Sequence, residues 1–118
     1  MIQLGFYGAA GEVTGSCYVL TTASARVMID MGMHQGERAA DEHNRRLPPI
    51  DLAALDGVVL THAHLDHCGR LPLLIQHGYR GAIHCTDATA DVTGVILRDS
   101  ASIQEEDCER FNRRLRRG

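Results

Sequence analysis

Gly57-Val58-Val59-Leu60-Thr61-His62-Ala63-His64-Leu65-Asp66-His67 decides how the chain is read. The apolar run Gly57–Leu60 reads as a buried strand that hands Thr61 to a loop. His62 and His64 stand two apart, so an extended backbone projects them to the same side. Asp66 lies two further on and His67 follows at once, so a turn there aims this second pair at a nearby point. Imidazole and carboxylate donors suit Zn²⁺, and less specifically Mn²⁺ or Fe²⁺. Four ligands exceed the three that one catalytic metal usually takes, and they fall short of two complete sets. The spacing implies half of a two-metal site, with His62 and His64 on one ion and Asp66 and His67 on the other.

Moving outward, Thr61–Gly69 resembles the second motif of the metallo-β-lactamase fold hydrolases. Gly8–Ser16, Gly69-Arg70-Leu71-Pro72, Ile96–Ser100 and Ile103–Asp107 narrow the resemblance to the β-CASP subgroup, which holds RNA-processing nucleases such as the cleavage-and-polyadenylation endonuclease. The resemblance implies an α/β fold, residues 1–118 forming the N-terminal half of a metallo-β-lactamase αββα sandwich. It implies two zinc ions per complete site and an RNA substrate for the parent protein. It also gives Asp66 a catalytic role, orienting or deprotonating the attacking water. Asp30 matches the family's first motif and is expected to support the metal loop without binding metal. The family's later metal ligands and its inserted domain have no counterpart here, so the chain reads as a truncated portion, inactive alone. Hydrolysis of a small ester or thioester, and a non-catalytic binding module, are the competing readings.

The rest of the chain bears on these expectations. Its 118 residues suit one small domain. A net charge of −3 advertises no polyanion partner, and all twelve basic residues are arginine. No apolar run approaches the ~18 residues of a membrane span. No basic-then-apolar leader is apparent, which points to the cytoplasm. Self-association is left open. Cys17, Cys68, Cys85 and Cys108 form no CxxC pair, so a disulfide framework is not expected.

Ile2, Leu4 and Phe6 alternate with Gln3 and Gly5, which predicts a strand with one buried face. The glycine-rich stretch to Gly15 reads as a structural turn, or as a loop from which Glu12 and Thr14 brace the metal loop from beneath. It lacks the lysine and spacing of a P-loop. Residues 16–21 and 26–30 read as strands, the second central because Val27-Met28-Ile29 is apolar on both faces. Asp30 at its end is a costly buried acid unless it is hydrogen-bonded. Glu37 to Arg46 is helix-tolerant, and Asp51 caps a short turn. His34 and His43 read as solvated, and His84 as part of a short strand from Ala82 to Cys85. A helix follows Gly69, with Pro72 in its first turn and Gly78 as its stop. Thr86 caps another, and a separate helix runs from about Ser102 to the end. The arginines at 110, 113, 114, 116 and 117 read as a solvated helix end or a phosphate contact.

Overall fold

The computed structural model describes residues 1–36 and 40–118. Five strands form one sheet: β1 (Gln3–Gly8), β2 (Cys17–Thr21), β3 (Arg26–Ile29), β4 (Gly57–Val59) and β5 (Ile83–His84). They lie in sequence order across the sheet. β1, β2 and β3 pair antiparallel, whereas β3, β4 and β5 pair parallel. The change of direction has a covalent cause. β1 to β3 are joined by short connections, but a parallel neighbour requires a long crossover. The β3–β4 crossover contains α1 (Ala40–Asn44) and a 3-10 turn at Leu52–Ala54, capped as expected by Asp51, whose Oδ1 accepts from the Ala53 N–H at 3.0 Å. The β4–β5 crossover carries α2 (Leu65–Cys68) and α3 (Leu71–Gln76).

The core sits on one face of the sheet. Val19 pairs with Met28 and Met28 with Val58, so three side chains line up across β2, β3 and β4. Met28 and Val58 are wholly buried. Cys68, Leu71 and Leu74 from α2 and α3 close over this row, with Ile96 and Leu97 packed against the cluster. β3 is the central strand, as its apolar run predicts.

The opposite face is open at β1. Ile2, Leu4 and Phe6 share it, and Leu4 and Phe6 are 47% and 63% exposed. The strand at β1 is therefore present, but its expected buried face is not: β1 is an edge strand and the helices α2 and α3 pack on the other side. The two C-terminal helices predicted from sequence are one. α4 runs unbroken from Asp87 to Arg117, capped by the Thr86 hydroxyl, which accepts from the Thr89 N–H at 3.2 Å. Ser100-Ala101-Ser102 contains no proline or glycine to stop it, and the Gln104 amide bonds back to the Ser100 hydroxyl at 3.2 Å. Every residue from Ala101 onward is exposed. Ion pairs Glu106–Arg110 and Glu109–Arg113 brace this stretch along the helix. The predicted helical segment Glu37–Arg46 is α1 at Ala40–Asn44, its first three residues lying outside the described ones. Among the described residues no helix is long and apolar enough to cross a membrane.

Candidate metal centre

β3 and β4 run parallel and end side by side, and their C-terminal ends build the site. Asp30 leaves β3 with φ of 61°, a left-handed conformation that Asp tolerates better than most residues. Its N–H still donates to the Val59 carbonyl at 2.9 Å, so the strand ladder runs up to the turn. The turn places a carboxylate only 2% exposed beneath the histidine loop. Asp30 Oδ1 accepts from the Thr61 N–H at 2.8 Å, and Oδ2 from the Thr61 hydroxyl at 2.7 Å. Oδ2 also lies 2.7 Å from His67 Nδ1. A buried acid that would be costly alone thus has three partners.

These bonds assign the ring nitrogens. Asp30 is an acceptor toward Thr61, so His67 Nδ1 donates to it, and in the neutral ring Nε2 keeps its lone pair. The Thr61 hydroxyl gives its one proton to Asp30, so at 2.9 Å it accepts from His62 Nδ1. His62 then also presents an unprotonated Nε2. One carboxylate orients two imidazoles, one directly and one through a threonine. Holding Nδ1 in this way fixes the tautomer and raises the basicity of Nε2, the arrangement usual for metal-binding histidines.

The four sequence-predicted ligands are gathered. The His62 and His67 ring centroids are 4.0 Å apart, and those of His62 and His64 4.8 Å. Asp66 Oδ2 stands 3.4 Å from His67 Nε2. The donor types, three imidazoles and a carboxylate, suit a metal ion of the kind expected. As placed, the rings pack against one another, and among the described residues no three His, Cys, Asp or Glu side chains are opened around a common point.

Glu12 and Thr14 lie elsewhere. Glu12 Oε1 is 3.5 Å from His34 Nδ1. The Thr14 hydroxyl accepts from the Gln35 N–H at 2.9 Å. Both side chains steady the segment after Asp30, not residues 61–67. His34, expected to be solvated, has a side chain only 11% exposed and rests beside His43, at 5.2 Å between ring centroids.

The bracing beneath the metal loop comes from residues that the sequence reading passed over. Ser16 N–H donates to the Asp66 carbonyl at 3.0 Å, Met31 N–H to that of His67 at 3.0 Å, and Met33 N–H to that of Leu65 at 2.8 Å. Gly32 N–H returns to the Ser16 carbonyl at 2.8 Å. The approach is so close that a Cβ on Gly32 would fall 1.6 Å from the Asp66 carbonyl oxygen. Thr61 was visible only as the residue before the histidines, and Gly32 only as a glycine two beyond Asp30. Cys17 lies under the same layer, where burial, with a smaller push from Asp30, raises its thiol to about 11 despite the pull of Arg70. Burial raises the Cys68 thiol too, helped by Asp30 and Asp66.

Comparison with known proteins shows the family. The Metallo-beta-lactamase superfamily pattern matches residues 10–105. The chain is 44% identical over 102 residues to ribonuclease TTHA0252 of Thermus thermophilus, covering 85% of this chain and 23% of that protein. It is 40% identical over 104 residues to the transcription termination factor FttA of Cenarchaeum symbiosum, covering 86% and 16%. An RNase J-like protein of Methanocaldococcus jannaschii is 33% identical over 113 residues, covering 92% and 24%. The chain thus spans less than a quarter of the length of each of these relatives. A solved metallo-β-lactamase structure from Cronobacter sakazakii aligns at 24% identity with a TM-score of 0.47, over 68% of this chain and 28% of that one.

Proposed function

This chain belongs to the metallo-beta-lactamase superfamily, and from that premise we propose that it supplies part of the two-zinc centre of a β-CASP-type ribonuclease that cleaves RNA phosphodiesters. The observation that carries the reading is the Asp30 network. Asp30 holds His67 Nδ1 directly and His62 Nδ1 through Thr61, and leaves both Nε2 atoms for metal. The relatives named as a ribonuclease and an RNase J-like protein support RNA as the substrate.

In this reading His62 and His64 hold one ion, and Asp66 and His67 the other. Bound there, divalent zinc supplies a water acidic enough to act as hydroxide near neutral pH and positive charge for the phosphoryl oxygens. The chain's own residues do the rest. Thr61 and Asp30 hold the Nδ1 side of the His62 and His67 rings, so Nε2 is the atom left to face an ion once the packed rings open around it. Asp66, on the first turn of α2, has its carboxylate beside His67 Nε2 and is placed to orient the attacking water and receive its proton. The Ser16, Met31 and Met33 bonds hold the backbone of 65–67 still while the charge moves.

The test is cleavage of labelled single-stranded RNA, set against a panel of thioesters and lactones. It uses zinc-loaded protein at its full natural length, with a His64→Ala control. RNA cleavage that is lost in the control supports the reading. Turnover confined to the small esters overturns it. The 118 residues alone are expected to show no cleavage above a His62→Ala control.

A further inference from the structure

We propose that Arg70 is a positioning residue for the His67 ring, acting through the main chain of residues 31–33 and the left-handed turn at Asp30. The proposal deepens the metal-centre reading and rests on it for its functional meaning.

Arg70 sits between α2 and α3 and is 5% exposed. Its guanidinium forks. Nε–H donates to the Gly32 carbonyl, and Nη1–H to the Arg46 carbonyl at 3.1 Å. Its backbone N–H donates to the Met31 carbonyl at 2.9 Å. Nη2 is buried with no hydrogen-bond partner. Among the described residues no carboxylate lies within ion-pair distance of it, and burial pulls its pKa below the usual arginine value. Glu12 acts on it only at longer range, and the guanidinium is instead spent on two neutral carbonyls far away in sequence. A planar fork reaches both at once. A lysine ammonium, a single point on a flexible stem, does not.

What the fork holds is the strand of chain that carries Asp30. Asp30 N–H is tied to Val59 on one side of its turn. On the other side, Met31 bonds to His67 and to Arg70, and Gly32 to Ser16 and to Arg70. Arg70 therefore closes the far side of a backbone turn that Asp30 adopts at φ of 61°. The Asp30 carboxylate aims at His67 and Thr61 because that turn is held. No hydrogen bond joins the Arg70 side chain to a proposed ligand, so its influence on the His67 ring runs through the main chain of Met31 and Gly32, by way of the Asp30 carboxylate and the Met31 bond to the His67 carbonyl.

The test needs neither metal nor substrate, so its failure is distinguishable from failure of the ribonuclease reading. On ¹⁵N-labelled 118-residue chain, two-bond ¹⁵N–¹H correlation reads the imidazole tautomer, and amide exchange reads local opening. In the wild-type chain His67 is expected to be protonated at Nδ1. In Arg70→Lys, His67 is expected to become a mixture of tautomers. The Thr61 and Met31 amides should exchange at least about tenfold faster, while Met28 and Val58 in the sheet stay protected. Arg70→Gln, uncharged and unforked, should behave alike, which assigns the effect to the fork. A His67 tautomer and Thr61 exchange unchanged in both variants would overturn the proposal. So would loss of protection at Met28 and Val58 in both, which would make Arg70 a support of the core alone.

Discussion

Asp30 Oδ2 and His67 Nδ1 meet at 2.7 Å across 37 residues of sequence. This contact joins the end of β3 to the first turn of α2. It gives a buried carboxylate its charged-capable partner, and it gives an imidazole a fixed direction.

Asp30→Asn separates charge from backbone strain. Asparagine accepts φ near 61° as readily as aspartate, so the turn is kept. The acceptor for His67 is lost in part, because the amide presents one oxygen where the carboxylate presents two. Zinc affinity, read by competition with a chromogenic chelator, should fall about 10–100-fold with the circular dichroism spectrum unchanged.

His64→Ala tests ligation without the same support. His64 is exposed and caps α2 with its backbone only, making no side-chain cap bond. Its loss should move stability by no more than ~0.5 kcal/mol. Metal content by mass spectrometry after purification without added metal should fall well below that of the parent chain. Equal content in both would remove His64 from the ligand set.

Gly32→Ala should be severe. The new Cβ would meet the Asp66 carbonyl oxygen at 1.6 Å and the His67 nitrogen at 2.7 Å, both backbone atoms that cannot rotate away. The two segments must separate, breaking bonds on each side, and urea unfolding should show a loss above ~3 kcal/mol.

The cysteines predict an alkaline limit. In the unfolded chain the Cys17 thiol ionises near 9.0, whereas burial holds it protonated to about 11 in the fold. Between those values the unfolded state binds fewer protons than the native one, so stability falls as pH rises, by about 2–3 kcal/mol in all, and is unaffected below the window. Melting temperature from pH 8 to 11 should show this slope, reduced in Cys17→Ala. At pH 8 a thiol reagent should label exposed Cys85 and Cys108 quickly, and buried Cys17 and Cys68 only on unfolding.

Much of this arrangement was legible in the residues themselves. The run Gly57–Leu60 and the histidines after it located the end of β4, although the turn expected at Asp66 and His67 is the short helix α2, and the acid ending Val27-Met28-Ile29 stood out because its burial demanded partners. Residues whose work is done by main-chain atoms were not legible. Ser16 braces Asp66 with an N–H that every non-proline residue owns, and Gly32 matters for the side chain it lacks. Glu12 and Thr14 carry suggestive side chains, yet which segment the loop faces is set by the β1–β2 pairing, beyond local pattern. Alternation at Ile2, Leu4 and Phe6 fixed strand geometry, but burial depends on what lies over the face. A separate helix was read from about Ser102, where the apolar positions thin out to Ile103, Phe111 and Leu115. In an existing helix the same residues are merely tolerated.

The second half of α4 is exposed along its whole length and is braced by its own hydrogen bonds and ion pairs along one chain. Its order is governed by helix–coil statistics, which change gradually with temperature, and not by the collective melting of the sheet. Far-ultraviolet ellipticity therefore adds a sloping, non-cooperative signal to a sigmoidal one. A van't Hoff enthalpy taken from it should fall below the calorimetric value even if the core unfolds in a single step.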